Sequence, residues 1–357
     1  MSQKKRLFLL DAYALIFRGY YALIKNPSVN SKGRDTSAIM GFMNSLFDVI
    51  KRENPDHLAV CFDKAGSDVR TEIYSEYKAN RDETPQVIEE SIPTIKTILD
   101  AMHIPTLEVP GVEADDIIGT LAKQAEKENY EVFMVTPDKD FGQLVSENIF
   151  MYRPARMGNA IEIWGIPEVK KRFGVERPEQ VIDYLGMMGD AVDNIPGLPG
   201  VGDKTAKKFL SQFGSIENLL DNTDQLKGKM KERLESHREQ GLMSRKLAEI
   251  DTESAVEFHA GNFEMSAPDQ VKVEEIFQEL EFRRLGEQFK KLFFPDSNES
   301  AEKENAPSTK NEQFSLFDKT EQDENKSAVK GFKTIHTEPH FYQYVDSQMA
   351  INRLVEI

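Results

Sequence analysis

The chain has 357 residues, 39% hydrophobic and 30% charged, enough at roughly 150 residues per domain for about two cored domains. That excludes a peptide, a single small module and wholesale disorder, while a single cysteine, Cys61, excludes a disulfide framework and the usual closed zinc sites and points to a reducing compartment. A formal net charge of −16 argues against a nucleic-acid partner unless the acids are gathered in one place.

The start, MSQKKRLFLLDAYALIF, joins a basic head to an apolar stretch, but Asp11 and Arg18 interrupt it and no small-residue cleavage site follows. No apolar run approaches the ~18 residues of a membrane helix, so a mature, soluble, cytoplasmic protein without a membrane partner is expected. Buried strands are predicted over Arg6–Leu10, His57–Phe62, Ile104–Val109 and Glu131–Val135. Helical spacing marks 14–24, 37–52, 88–102 and 114–129, the last with Ile117, Ile118, Leu121, Ala122 and Ala125 in phase. Strands alternating with helices predict an α/β fold with a doubly wound, mostly parallel sheet. From about Pro178 the strand signal fades and a helical subdomain with a Gly/Pro-rich turn, Gly197–Gly202, is expected. The predicted division is therefore an α/β core over 1–177 and a helical subdomain over 178–294. An acidic linker over 295–330 and the opening of a following domain over 331–357 complete it. The linker holds nine Asp/Glu against five Lys/Arg and little that could form a core.

In an open parallel sheet the functional crevice lies beyond the carboxyl ends of the strands. Asp11, Asp63, Asp138 and Asp140 fall there, and Glu113, Asp115 and Asp116 follow the Ile104–Val109 strand. Asp190 and Asp193, in MMGDAVDNIPG, have the i, i+3 spacing that aims two side chains the same way from one helical turn. Each acid alone reads first as a helix cap and only second as a ligand. Clustered, they need cations among them, because two like charges ~4 Å apart repel by about 4 kcal/mol at an effective dielectric near 20. Hard oxygen donors without histidine or thiolate select Mg²⁺ or Mn²⁺, and a pair of such ions suits phosphodiester chemistry.

These nine acids and the linker account for most of the net charge, leaving the rest close to neutral. Basic residues then stand out locally: Lys78 and Arg81 in YKANR, Lys204, Lys207 and Lys208, and Lys227, Lys229, Lys231 and Arg233. Such patches can hold a polyanion despite the acidic total. GLPGVGDKTAKKF is one residue too long between Gly197 and Lys204 for a Walker A loop and lacks a preceding strand. It reads instead as a tight turn between helices, either an ordinary connection or one whose N–H groups approach a phosphate.

The stretches LLDAYALIFRGYYAL, AVCFD, VRTEIYSEYKANR, VPGVEADDIIGTLA, VTPDKD and MMGDAVDNIPGLPGVGDKTA, in this order, resemble the flap endonuclease family, as in the 5′ nuclease domains of bacterial type I DNA polymerases. The resemblance covers about residues 5–290 and implies a PIN-like fold with a helical arch and a helix–turn–helix. It implies a Mg²⁺-dependent nuclease, with two ions and Mn²⁺ as a substitute, acting on DNA with 5′ flaps, nicks or 5′ ends in replication and repair. Metal-ligand roles are carried onto Asp11, Asp63, Glu113, Asp115, Asp116, Asp138, Asp140, Asp190 and Asp193. Lys78 and Arg81 become contacts of the scissile phosphate. Tyr20 and Tyr21 become stacking residues for an unpaired base, or else core aromatics. Arg18 and Arg70 match basic positions. Gly200, Gly202, Lys204, Thr205, Lys207 and Lys208 become duplex contacts, and the turn becomes a K⁺ site through backbone carbonyls. Ala12 and Ser37 depart from the family's usual small residues without removing a ligand.

Between Pro295 and Ala328 the Leu, Ile, Met, Val and aromatic residues are Phe314, Leu316 and Phe317, within QFSLF beside Gln313. This resembles the short peptide that docks bacterial replication proteins on the sliding clamp, with Phe314 in place of the usual leucine. Other readings fit less well. A haloacid-dehalogenase phosphatase needs a second Asp two residues after the first, where Tyr13 stands, and a receiver module uses about three acids in ~120 residues. A PIN-like ribonuclease and a non-cleaving DNA-junction binder stay open.

Overall fold

The computed structural model describes residues 4–64, 67–154 and 160–295. The strands are β1 (Arg6–Asp11), β2 (His57–Cys61), β3 (Thr106–Leu107), β4 (Glu131–Val135), β5 (Ile149–Arg153) and β6 (Glu162–Trp164). They form one sheet in the order β3-β2-β1-β4-β5-β6, parallel throughout except β6, which runs antiparallel to β5. Register pairs Asp11 with Cys61 and Leu10 with Val135, so β1, β2 and β4 end level with one another. The segments leaving these three strands therefore meet at one edge of the sheet.

The strands are apolar on both sides because both faces are covered. Phe8, Leu10, Leu58, Val60 and Val135 pack under α1 (Ala12–Leu23), α2 (Ser37–Glu53) and α4 (Gln86–Ala101). Leu7, Leu9, Ala59, Cys61, Val132 and Met134 face the opposite way, toward α5 (Ala114–Lys127). Each large side chain buried this way contributes about 1.5–3 kcal/mol. Helices α1 and α2 cross closely, since a Cβ added at Gly41 would lie 2.4 Å from the Gly19 Cα. That contact fixes α1, which begins at the end of β1.

The second half contains α6 (Ile166–Phe173), α7 (Gln180–Met188), α8 (Asp203–Phe213), α9 (Ile216–Asp221), α10 (Lys229–Ser236), α11 (Arg238–Ala248), α12 (Gln270–Glu279) and α13 (Arg283–Phe293). Helices α7 to α11 share one core with the α5 face of the sheet. Here the structure departs from the expected 178–294 subdomain: Val273, Phe277, Leu285 and Phe289 carry α12 and α13 across to α2 and α4, on the other face. The strand expected over Ile104–Val109 is only Thr106–Leu107, because Pro105 cannot donate to a ladder and Pro110 ends it. Between β2 and α4, where the resemblance places a helical arch, stand α3 (Asp68–Ile73) and a run of turns through Lys78. Among the described residues no helix is long and apolar enough to cross a membrane. The linker peptide Gln313–Phe317 and the stretch 331–357 lie outside the described residues.

Candidate metal and nucleic-acid site

Asp11 closes β1 and opens α1, with Oδ1 accepting from the Ala14 N–H at 3.1 Å and Oδ2 from the Thr136 hydroxyl at 2.9 Å. Asp63, just past β2, accepts from the Ala114 N–H at 2.7 Å and so caps α5 from a different segment. Asp138, past β4, accepts from the Asp140 N–H at 3.0 Å and caps the 3-10 helix Lys139–Leu144. The capping and clustering readings are therefore both true, since one set of acids fixes helix starts and shares one crevice. Asp115, in the first turn of α5, joins them from the side.

Burial and mutual repulsion push these carboxyls toward the protonated form. Burial, then the charge of Asp63, raises Asp11 to about 7. Burial, then the charge of Asp138, raises Asp140 to about 7. Asp115 is pushed well up by burial and then by Asp11, Asp138 and Asp63, while burial chiefly raises Asp63 and Asp138. The Oδ1 of Asp140 is buried without a hydrogen bond, with Lys139 Nζ 3.6 Å away. Lys139 Nζ also lies 3.2 Å from Asp190 Oδ2. An orphaned carboxylate oxygen within an all-oxygen donor set fits a hard divalent cation. Among the described residues no three such side chains are already converged on one ion. The acids are instead held by caps and lysines.

Asp190 and Asp193 do not share a helical turn. Gly189, at φ 74°, ends α7, and Asp190 pairs with Ile195 through two backbone hydrogen bonds of 2.9 and 2.8 Å. The two acids are brought together by this closed turn instead. Asp193 accepts from Arg81 Nη2 at 2.5 Å and lies 3.9 Å from Lys78 Nζ, which itself reaches Glu113 Oε1 at 2.7 Å.

Two expected residues take other roles. Asp116 faces away from the crevice and grips Arg70 through both oxygens at 2.7 Å, one of them also accepting from the Asp251 N–H at 2.8 Å. Three of its four acceptor sites are thereby taken by groups of the fold. Arg70 is buried, not exposed to DNA: it also donates to Glu113 at 3.1 Å and to the carbonyls of Leu247 and Glu249. This fork ties α3, α5 and the end of α11 together. Glu113, with Arg70, Lys78 and Tyr77 on its oxygens, links that fork to the crevice.

On α1, Tyr21 is exposed and Tyr20 half-buried, with ring centroids 5.3 Å apart. Phe17 stacks on Tyr21 at 6.2 Å and meets Tyr13 at 6.4 Å, and the Asp63 charge is felt at Tyr13. The aromatic stripe thus starts beside the acids, and its i, i+4, i+8 spacing was the signal for Tyr13 and Phe17. Arg18 is half-buried on the same helix.

The Gly/Pro turn lies between α7 and α8. A Cβ at Gly197 would sit 2.5 Å from the Gly189 nitrogen, so two backbones meet where only glycine fits. Gly202 precedes α8 in open space, and Lys204 and Lys208 are exposed, with Thr205 half-buried between them. Lys207 is half-buried, with Asp203 holding its Nζ at 2.8 Å, over the Tyr184 ring, in an i, i+4 pair that water still reaches. Arg233 of α10 overlies Gly200, where a Cβ would come 2.7 Å from Nη1.

Residues 6–174 match the family described as 5′-3′ exonuclease, N-terminal resolvase-like domain, and 176–271 match its C-terminal SAM fold. A 5′-3′ exonuclease of Aquifex aeolicus is 38% identical over 296 residues, covering 83% of this chain and 99% of that protein. DNA polymerase I of Bacillus caldotenax is 40% identical over 298 residues, covering 83% of this chain and 33% of the polymerase. The chain spans about a third of the length of that relative. A bacteriophage T5 flap endonuclease solved with DNA and metal ions shares the fold, with TM-score 0.57 at 21% identity over 81% of this chain and 98% of that one.

Replacing Arg70 by Met strands Asp116 in a buried setting, leaves Glu113 with Lys78 and Tyr77, and is expected to destabilise the protein by about 3–5 kcal/mol in chemical denaturation. An unchanged unfolding midpoint would return Arg70 to the DNA-binding surface. In chelator-treated protein, Asp11 and Asp140 ionise near 7 when folded but in the ordinary carboxylate range when unfolded. Thermal stability should therefore fall as pH rises from about 4 and level off above 7, and Mg²⁺ should restore it at the alkaline end.

Proposed function

The chain belongs to the 5′-3′ exonuclease family, and from that membership we propose that it is a structure-specific nuclease that hydrolyses DNA phosphodiesters at 5′ flaps and 5′ ends. The observation that carries this reading is the buried, mutually repelling carboxylate crevice at the sheet edge, with Lys78 and Arg81 on its rim. Asp11, Asp63, Asp115, Asp138 and Asp140, with Glu113, Asp190 and Asp193 at the margin, would hold two divalent ions, Mg²⁺ or Mn²⁺. Bound there, the ions supply Lewis acidity to the phosphodiester and make a nearby water more acidic.

The chain's own residues do the remainder. Lys78 and Arg81, now paired with Glu113 and Asp193, exchange those partners for the scissile phosphate and meet the negative charge that develops on it. The stripe Phe17, Tyr20 and Tyr21 offers π faces to an unpaired terminal base without reading its identity. Backbone N–H groups at Gly200 and Gly202, with Lys204, Lys208 and Arg233, grip the duplex backbone and set its register. Carbonyls of the same turn are the proposed K⁺ ligands. A cytoplasmic setting in DNA replication and repair is proposed, a reading supported by the DNA polymerase I relatives. In the linker, Gln313, Phe314, Leu316 and Phe317 are proposed to dock on the sliding clamp, supported by their isolation in a polar stretch.

The deciding experiment cleaves a 5′-labelled flap duplex in Mg²⁺, in EDTA, and beside a matched single-stranded RNA. EDTA-sensitive cutting near the junction with the RNA left whole is expected. Tight binding without cleavage would make the chain a junction binder, and RNA cleavage a ribonuclease. Asp138→Ala and Asp140→Ala should each abolish cleavage while gel-shift binding of the flap survives. Lys78→Ala should slow it by about 10²-fold or more. A peptide spanning Asn311–Lys319 should bind a bacterial sliding clamp in a polarisation assay and lose binding when Leu316 and Phe317 become Ala.

A further inference from the structure

Lys78 is a strained residue. Its φ of 56° lies in the left-handed region, which costs a lysine roughly 1 kcal/mol or more and persists only where neighbours impose it. Those neighbours belong to a distant part of the chain. The Lys78 N–H donates to the Asp193 carbonyl at 3.0 Å, the Asn80 amide to the Ala191 carbonyl at 2.7 Å, and the Asn194 amide to the Glu76 carbonyl at 2.6 Å. Two turns, 76–81 and 191–194, are thereby joined by three hydrogen bonds besides the ion pairs of Asp193. Asn194 is left-handed as well, at φ 57°, a conformation asparagine adopts more readily than most residues.

The second turn hangs from the segment between α7 and α8, whose far end is the glycine turn beneath Arg233. The first carries Lys78, with Nζ 2.7 Å from Glu113 at the crevice rim. We propose that Asn194, aided by Asn80, is a positioning residue for the nuclease reaction: its amide, by holding the Glu76 carbonyl, keeps the turn that sets Lys78 over the carboxylates. The placement of Lys78 then depends on the segment that grips the duplex, so that the ammonium is aligned only while the α7–α8 connection keeps its shape. This rests on the nuclease reading above.

Asn194→Gly keeps the left-handed backbone at little strain while deleting the amide. Asn194→Asp keeps the shape but turns an acceptor toward the Glu76 carbonyl. Asn80→Ala cuts the tie from the other side. With the full chain and a 5′-flap duplex, each is expected to lower kcat about tenfold while KM, flap binding and the unfolding midpoint stay within twofold or a degree or two. In a Lys78→Ala background the same substitutions should have no further effect, since there is no ammonium left to place. Multiplicative losses in that double variant would overturn the proposal, as would a raised KM with unchanged kcat, which would make the turn a direct DNA contact. Failure of the unmodified protein to cut any flap would instead remove the nuclease reading, and this proposal with it.

Discussion

Several carboxylates held in one crevice repel one another, and most of the fold around them answers that repulsion. At an effective dielectric near 20, each close pair costs about 4 kcal/mol if both members are charged. Three devices offset it here. Backbone N–H groups at the starts of α1, α5 and the 3-10 helix turn one oxygen of Asp11, Asp63 and Asp138 into a cap acceptor. Lys139 lies between Asp140 and Asp190, and Lys78 and Arg81 attend Glu113 and Asp193. Burial, and after it the repulsion left over, raises the carboxyl pKa values of Asp11, Asp115 and Asp140. A divalent cation would relieve that remainder, so the affinity for metal is a property of the whole arrangement and not of any single aspartate.

The parallel sheet is what allows acids so far apart in sequence to meet. Because β1, β2 and β4 run the same way and end in register, the residues after each share one edge, and α5 supplies Asp115 across from them. The helical second half then closes the crevice with Asp190 and Asp193. It is not appended to the core but continuous with it, through the Arg70 fork and the shared apolar cluster. Loss of registry between the halves would separate acids from different segments and undo the site without altering any of its residues.

The strands that carry the acids were legible because strands buried on both faces read as unbroken apolar runs, and Asp11, Asp63 and Asp138 punctuate their ends. Facing was not legible. Asp115 and Asp116 are adjacent on α5, about 100° apart around the helix, so one enters the crevice and the other meets Arg70. No pattern of charge alone separates them. Lys207 looked like Lys204 and Lys208 until Asp203, one helical turn earlier, claimed it. Gly189 hid the true geometry of Asp190 and Asp193, for an i, i+3 spacing means a shared face only if the helix continues. β6 passed unnoticed as a short element, being only Glu162–Trp164, and β5 did so although it is as long as β2 and β4.

Basic residues near the site divide by how firmly their present partners hold them. Arg70 and Asp116 have side chains only 9% and 6% exposed, and a buried pair of this kind cannot release one member without stranding the other charge. Arg81, 48% exposed, holds Asp193, 21% exposed, where water still competes, and pairs of that type are worth about 0–1 kcal/mol; Lys78, 22% exposed, holds a Glu113 only 4% exposed that Arg70 and Tyr77 also grip. A phosphate at Arg81 would displace Asp193 at small cost, and one at Lys78 would leave Glu113 with Arg70 and Tyr77 as partners. Exchange of partners at the rim and permanence beneath it follow from exposure alone. The same physical rule that assigns Arg70 to the fold leaves Arg81 and the Lys78 ammonium accessible for the proposed contact with substrate.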